Sequence, residues 1–326
     1  MNAAIVSGED SYLDLVRVAL DTVLNHSIEG SVEKTPMSLQ GNWLSRLGTD
    51  AANTATLVPH RFGRNGWFDF GPMPLDLPTW LWWVSRDEKD WNRLSALMAA
   101  YPEEPTAVKP FRDKAESGHE LPWLAFLDGK NPDYPERALS MALGQVARRV
   151  ALMGQDIPDP KSIHIHYWQG VNPVVTEVLS QLIGGAPQVL YNGGLPLQAV
   201  SYEDAEANRP GLPEDVAALV TDISGDDVAL ELVNLSTTQA RRLRIRPGRF
   251  GEKDIRTVTS TGETCGSFPG TWRDYTSVPG AESVLETDVN SPDFLVELPP
   301  FHHVRLRITS TPALRAPRHH VARSGS

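Results

Sequence analysis

The sequence predicts two domains of different class: a mainly α-helical domain over residues 1–220 and an antiparallel β-sandwich over residues 221–312, with a disordered tail from 313 to 326. Three observations carry this. Apolar residues recur at helical spacing in the first two thirds of the chain. After about Thr221 the period switches to two, with Gly and Pro between short runs of β-formers. At 326 residues the chain exceeds the usual size of a single core.

In the first part, Tyr12, Leu15, Val16, Ala19, Leu20 and Val23 set a helix from Ser11 to Leu24, bounded by Gly8-Glu9-Asp10. A long irregular stretch is expected from Ser27 to Pro78, containing the aromatic string Gly66-Trp67-Phe68-Asp69-Phe70. Pro78 to Val84 starts a second helix and Asp90 to Ala100 a third, with Trp91, Leu94, Leu97 and Met98 on one face. Pro122 to Leu127 reads as a short helix, and Pro135 to Met153 is the clearest helix of the chain. Asn172 caps a further helix with Pro173 at its first position and Gly184-Gly185 as its stop, and Pro213 to Val220 adds a last short one.

Six period-two runs follow: Val228–Leu235, Arg241–Arg246, Ile255–Thr259, Val284–Val289, Phe294–Leu298 and Val304–Ile308. Short strands without intervening helices point to a sandwich rather than a parallel sheet.

Composition excludes several function classes. A net charge of −11 repels nucleic acid and anionic membrane surfaces, and no basic stripe interleaved with aromatics offsets it. No apolar run is long enough to span a bilayer. Glu9, Asp10 and Asp14 stand where a secretory leader has a basic start and an apolar core, so a cytoplasmic location is expected. The single cysteine, Cys265, excludes an internal disulfide and falls in an expected loop of the β domain.

The residues with chemistry to offer lie in loops of the helical part. Asp69 sits between two phenylalanines, and Glu120 stands in Gly118-His119-Glu120-Leu121-Pro122-Trp123. Apolar surroundings favour the neutral carboxyl, which suits a general acid. In Ile163-His164-Ile165-His166-Tyr167-Trp168-Gln169, an extended backbone would turn both histidines to one side, towards a polar substrate or a divalent metal. Seven of the nine tryptophans lie between Trp43 and Trp123. Those on helices, Trp80, Trp83 and Trp91, read as core, which leaves Trp67, Trp168 and Tyr191 on predicted loops as aromatic platforms for sugar rings.

The succession of helix, aromatic loop and return helix, with the strings Leu232-Val233-Asn234-Leu235-Ser236 and Leu298-Pro299-Pro300-Phe301-His302-His303-Val304-Arg305-Leu306 behind it, resembles the C-terminal part of (α/α)-toroid glycoside hydrolases and polysaccharide lyases with an accessory β-sandwich. About five or six helices are fewer than a closed ring of helix pairs holds, so either the chain is a C-terminal portion of such an enzyme or its toroid is incomplete. The resemblance implies a carbohydrate-active enzyme working at the toroid mouth. Its catalytic candidates are Glu120, Asp69 and His166, with His119, His164, Trp67, Trp168, Gln169, Asn172, Tyr191 and Asn192 contacting substrate. If the reaction is an elimination, Tyr167 or His166 is the base. No cofactor and no metal ligand set is assigned. The alternatives are a metal-dependent hydrolase using His164 and His166, or a non-catalytic carbohydrate-binding or structural fragment. An exposed apolar edge on the helical part would favour a homodimer.

Overall fold

The structure is a computed structural model that describes residues 1–31, 54–62, 68–101, 104–108, 120–155, 159, 161–164, 167, 171–188, 195, 197–263 and 282–311. The expected tail and the Cys265 loop lie outside the described residues. The protein mixes α and β structure, with seven helices among the described residues and a β-rich C-terminal half. Two compact units form: Met1–Val178 with Pro187–Leu195, and Leu179–Ala186 with Pro196–Ser326.

The first unit contains helices α1 (Asn2–Ser7), α2 (Ser11–Asn25), α3 (Asp76–Ser85), α4 (Glu88–Ala99), α5 (Glu120–Leu127) and α6 (Tyr134–Gln155). Four of these match the periodicity closely, and α5 begins two residues before the expected Pro122. Helix α4 is started by Asp87, whose carboxylate accepts from the Lys89 N–H at 2.7 Å. One turn later Asp90, 1% exposed at its side chain, joins α4 to α2: Arg17 donates to it through Nε and Nη2 (2.7 Å), and Arg93 at 2.8 Å. Trp83 is buried in α3, whereas Trp80 on α3 and Trp91 on α4 are only half-buried. The Trp91 ring packs 4.7 Å from that of Trp82.

The stretch expected to be irregular instead holds a three-stranded antiparallel sheet, β1 (Ile28–Ser31), β2 (Thr54–Phe62) and β3 (Phe68–Pro72), in that order. Pro59 hides the strand from a sequence reading because it cannot donate to a ladder, and the β2–β3 register shifts between Pro59 and Arg61.

Helix α7 (Glu177–Gly184) is shorter than expected. Asn172 does accept from the Val174 N–H at 3.0 Å, but residues 172–176 are not helical. The predicted stop holds: Gly185 adopts φ +60°, its N–H donates to Gln181 O (3.0 Å) and the Ala186 N–H to Ser180 O (3.1 Å), a closure through a left-handed glycine. A Cβ on Gly185 would press into Ile223, Ala199 and Val220, so the position needs glycine for space as well as for backbone angle.

The second unit carries two antiparallel sheets. Strands β6 (Val216–Ser224), β7 (Asp227–Asn234), β9 (Ile255–Glu263), β10 (Glu282–Ser291) and β12 (His303–Ser310) form one, ordered β10-β9-β12-β7-β6. The other is ordered β11-β8-β4-β5, from β4 (Val200–Asp204), β5 (Arg209–Pro210), β8 (Arg241–Pro247) and β11 (Phe294–Leu298). Strand structure of this unit begins at Val200. The helix expected over Pro213–Val220 is instead the start of β6, since its apolar run Val216-Ala217-Ala218-Leu219-Val220 suits either structure.

Each sheet buries one face. Val228, Leu230, Leu232 and Asn234 of β7 are buried at every second position, as are Leu243, Ile245 and Pro247 of β8. Asn234, fully buried, ties the sheets together. Its amide donates to Leu298 O of β11 (2.9 Å), Pro299 O (3.0 Å) and Gln239 O (2.8 Å). On the outer face of the smaller sheet, Arg244 and Arg246 alternate with Glu203 and Asp293 in a closed ring of ion pairs, 2.9–3.4 Å.

Candidate functional site

Helix α5 has the sequence Glu-Leu-Pro-Trp-Leu-Ala-Phe-Leu, apolar on every side after its first residue, and a helix of that kind is stable only when enclosed. Residues 120–125 are buried accordingly. Pro122 is tolerated because the first turn needs no N–H donor there. The enclosure takes in Glu120, which is 1% exposed. A glutamate at a helix N-terminus gains from the positive end of the helix dipole, while burial disfavours its charged form, so the position balances two opposed effects.

The turn after α5 brings a second polar group to this carboxyl. Gly129, at φ +71°, closes the helix with the Lys130 N–H on Ala125 O at 2.8 Å. Buried Asn131 then donates from its amide to Pro122 O (3.0 Å) and accepts from the Tyr134 N–H (3.1 Å). Tyr134 is fully buried at the start of α6, its ring 6.1 Å from Phe126. Burial pushes the Tyr134 hydroxyl well above the ordinary tyrosine range, and the negative charge of Glu120 pushes it further. Glu120 and Tyr134 are therefore both buried, near enough for the charge of the carboxylate to act on the phenol. Together they offer proton donation, proton acceptance and a hydroxyl to hold an oxygen atom.

Of the predicted site residues whose side chains are described, Glu120 is buried. Asp69 lies on β3 with its backbone paired to Arg61 of β2. His164 and Asn172 are exposed. The Tyr167 N–H donates to His164 O at 2.8 Å, and Ile165 between them lies outside the described residues. His166, His119, Trp67, Trp168, Gln169, Tyr191 and Asn192 lie outside the described residues. Among the described residues no group of three or more His, Cys, Asp or Glu is placed to hold a metal ion, and no helix is long and apolar enough to cross a membrane. Tyr134 was not a candidate from sequence. Its signal is the repeat Tyr134, Ala138, Ala142 at four-residue spacing, which is the buried face of α6.

A family model described as Domain of unknown function (DUF8034) matches residues 1–180, more than half of the chain. No curated protein matches it. Among solved structures, the crystal structure of an arabinofuranosidase is similar over 33% of this chain and 22% of its own length, at 17% identity and a TM-score of 0.20. This chain therefore spans about a fifth of that protein, a likeness too slight to carry an argument.

Proposed function

The chain belongs to the family described as a domain of unknown function, DUF8034, and we propose that it is a carbohydrate-active enzyme, a glycoside hydrolase with Glu120 as its general acid. The observation that carries this reading is the enclosure of the Glu120 carboxyl, 1% exposed, in the apolar wall of α5 beside the Tyr134 hydroxyl. Apolar surroundings favour the neutral carboxyl, the form that can protonate a departing glycosidic oxygen. Hydrolysis needs a second carboxyl across the scissile bond, and the reading assigns that role to Asp69 on β3. The proton passes from Glu120 to the leaving oxygen, the C–O bond breaks, and water restores the hydroxyl and the proton. His166, His164 and the loop aromatics Trp67, Trp168 and Tyr191 serve substrate contact in this reading, and the helices of the first unit contribute one portion of an (α/α) toroid.

The test is release of reducing ends from soluble polysaccharides, and of p-nitrophenol from a panel of p-nitrophenyl glycosides, by the full chain. Glu120→Gln keeps the shape of the side chain and removes its acid. It is expected to lower the rate about 10²- to 10⁴-fold with an unchanged circular dichroism spectrum. Full activity of a folded Glu120→Gln variant overturns the assignment. Unsaturated products absorbing in the ultraviolet would show elimination and replace the hydrolase with a lyase.

A further inference from the structure

The turn between β11 and β12 carries a residue that its backbone does not suit. The His302 N–H donates to Pro299 O at 3.2 Å, which closes a four-residue turn with Pro300 second and Phe301 third. Phe301 has φ +53°. Proline is favoured at the second position of such a turn, but the positive φ at the third calls for Gly or Asn, and a bulky side chain there is an outlier. The Phe301 side chain recovers little of that cost inside the unit, because the residue is 71% exposed.

The turn is nevertheless held firmly. The Phe301 N–H donates to Ser236 O (3.1 Å), the Asn234 N–H to His302 O (2.9 Å), and the buried Asn234 amide to Leu298 O and Pro299 O. The turn also carries the exposed Pro299 and Pro300, and the segment that holds it carries Leu235, 58% exposed, with the exposed Thr237 and Thr238 next in sequence to Ser236. An aromatic ring presented to solvent on a rigid support, against the preference of its own backbone, is a preorganised contact for something outside the chain.

We propose that Phe301 is a sugar-stacking platform of the sheet unit, a carbohydrate contact separate from Glu120. Size selects the ligand. One phenylalanine offers about 150–250 Å², whereas a stable protein interface takes about 800 Å² from each partner. A ring with an apolar C–H face fits the aromatic, and hydroxyls on its edge suit a surface where exposed threonines, Thr237 and Thr238, follow the segment that holds the turn. The choice of carbohydrate over another hydroxylated ring rests on the function proposed above.

Native electrophoresis of the full chain through gels containing arabinoxylan, galactomannan, xyloglucan or mixed-linkage β-glucan tests this, with sedimentation velocity alongside. The wild type is expected to be retarded in at least one gel. Phe301→Gly suits the turn better and is expected to keep or raise the melting temperature while weakening retardation about tenfold or more. Phe301→Trp is expected to retain it. Absence of retardation in every gel, equal retardation of Phe301→Gly, or a self-association that Phe301→Gly abolishes would each overturn the proposal. Glu120→Gln is expected to be retarded like the wild type. A chain that is retarded through Phe301 but hydrolyses nothing sinks the hydrolase reading alone, and hydrolysis with retardation indifferent to Phe301 sinks the platform alone.

Discussion

The two units treat buried acids differently. In the sheet unit, buried carboxylates serve the backbone: Asp204 accepts from the Glu206 and Ala207 N–H groups, and Glu252 from those of Arg249 and Phe250. These acids fold turns. In the helical unit, Asp90 is instead paired with two arginines from different helices, and Glu120 is buried near a phenol. Where a buried carboxylate closes a turn on amides, its presence is explained by local structure. Glu120 stands instead in a helix that is apolar after its first residue, and that setting is what the proposed role as a general acid draws on.

That contrast is sharpened most by breaking Asp90. Asp90→Asn leaves Arg17 and Arg93, each about a quarter exposed, without their buried counter-charge. Removing one partner of a fully buried pair costs about 3–5 kcal/mol; Arg17 keeps Asp14 and Arg93 keeps Asp21, so a loss of about 2–3 kcal/mol is expected. Urea unfolding is expected to show that loss together with faster hydrogen exchange of α2 and α4. A change below about 1 kcal/mol would mean that Asp90 contributes no more than a surface pair.

Asn234→Ala makes the corresponding break in the sheet unit. The carbonyls of Gln239, Leu298 and Pro299 lose the amide; Pro299 O keeps the His302 N–H, and the bond to Leu298 O is the buried one. Leaving buried acceptors unpaired costs about 1–3 kcal/mol. The loss is expected to appear first as faster exchange of β7 and β11, and a native exchange pattern would show that the sheets are not pinned there.

How much of this was legible follows the range of each interaction. Helices α2, α3, α4 and α6 are set by spacing within one turn or two, and the strands from β7 to β12 by alternation, so local pattern located them. Strand β2 was hidden by Pro59, and β6 by an apolar run without alternation. Glu120 was visible because its neighbours Leu121, Pro122 and Trp123 are adjacent in sequence. Tyr134 was not, because the turn through Gly129 and Asn131 that links α5 to α6 follows neither helix's periodicity. Phe301 could not be read either: its left-handed backbone is imposed by Asn234 and Ser236, some sixty-five residues earlier in the chain. The cap predicted at Asn172 did form, but as a turn that the helix does not continue.

The two buried tyrosines provide a test in which the units should behave alike. Burial raises Tyr202, whose hydroxyl donates to Ile183 O at 3.0 Å, and burial followed by the Glu120 charge raises Tyr134. A hydroxyl raised in the folded state stabilises fully below its unfolded value of about 10 and loses that contribution as pH climbs towards the folded value. Above about pH 10 each tyrosine is expected to steepen the loss of stability by up to about 1.4 kcal/mol per pH unit. Tyr134→Phe and Tyr202→Phe should each flatten it, as read from urea midpoints. A variant with the wild-type slope would mean that its phenol reaches solvent.

The smallest effect is expected where charges are most numerous. Glu203 and Asp293 each accept from both Arg244 and Arg246, and all four side chains are between 21% and 27% exposed. Water at that level of exposure already solvates the ions, and ordering four long side chains costs rotamer freedom, so Glu203→Gln is expected to cost no more than about 1 kcal/mol. The ring geometry predicts a further detail. Arg244 and Arg246 project from the same face of β8, and Asp293 alone still bridges them in the single variant. Adding Asp293→Asn leaves two guanidinium groups side by side, and the double variant should lose more than the sum of the singles. Raising the salt concentration should erase most of that excess. Strict additivity would show that the ring is four independent surface contacts, and the contrast between the units would then rest on Asp90 and Glu120 alone.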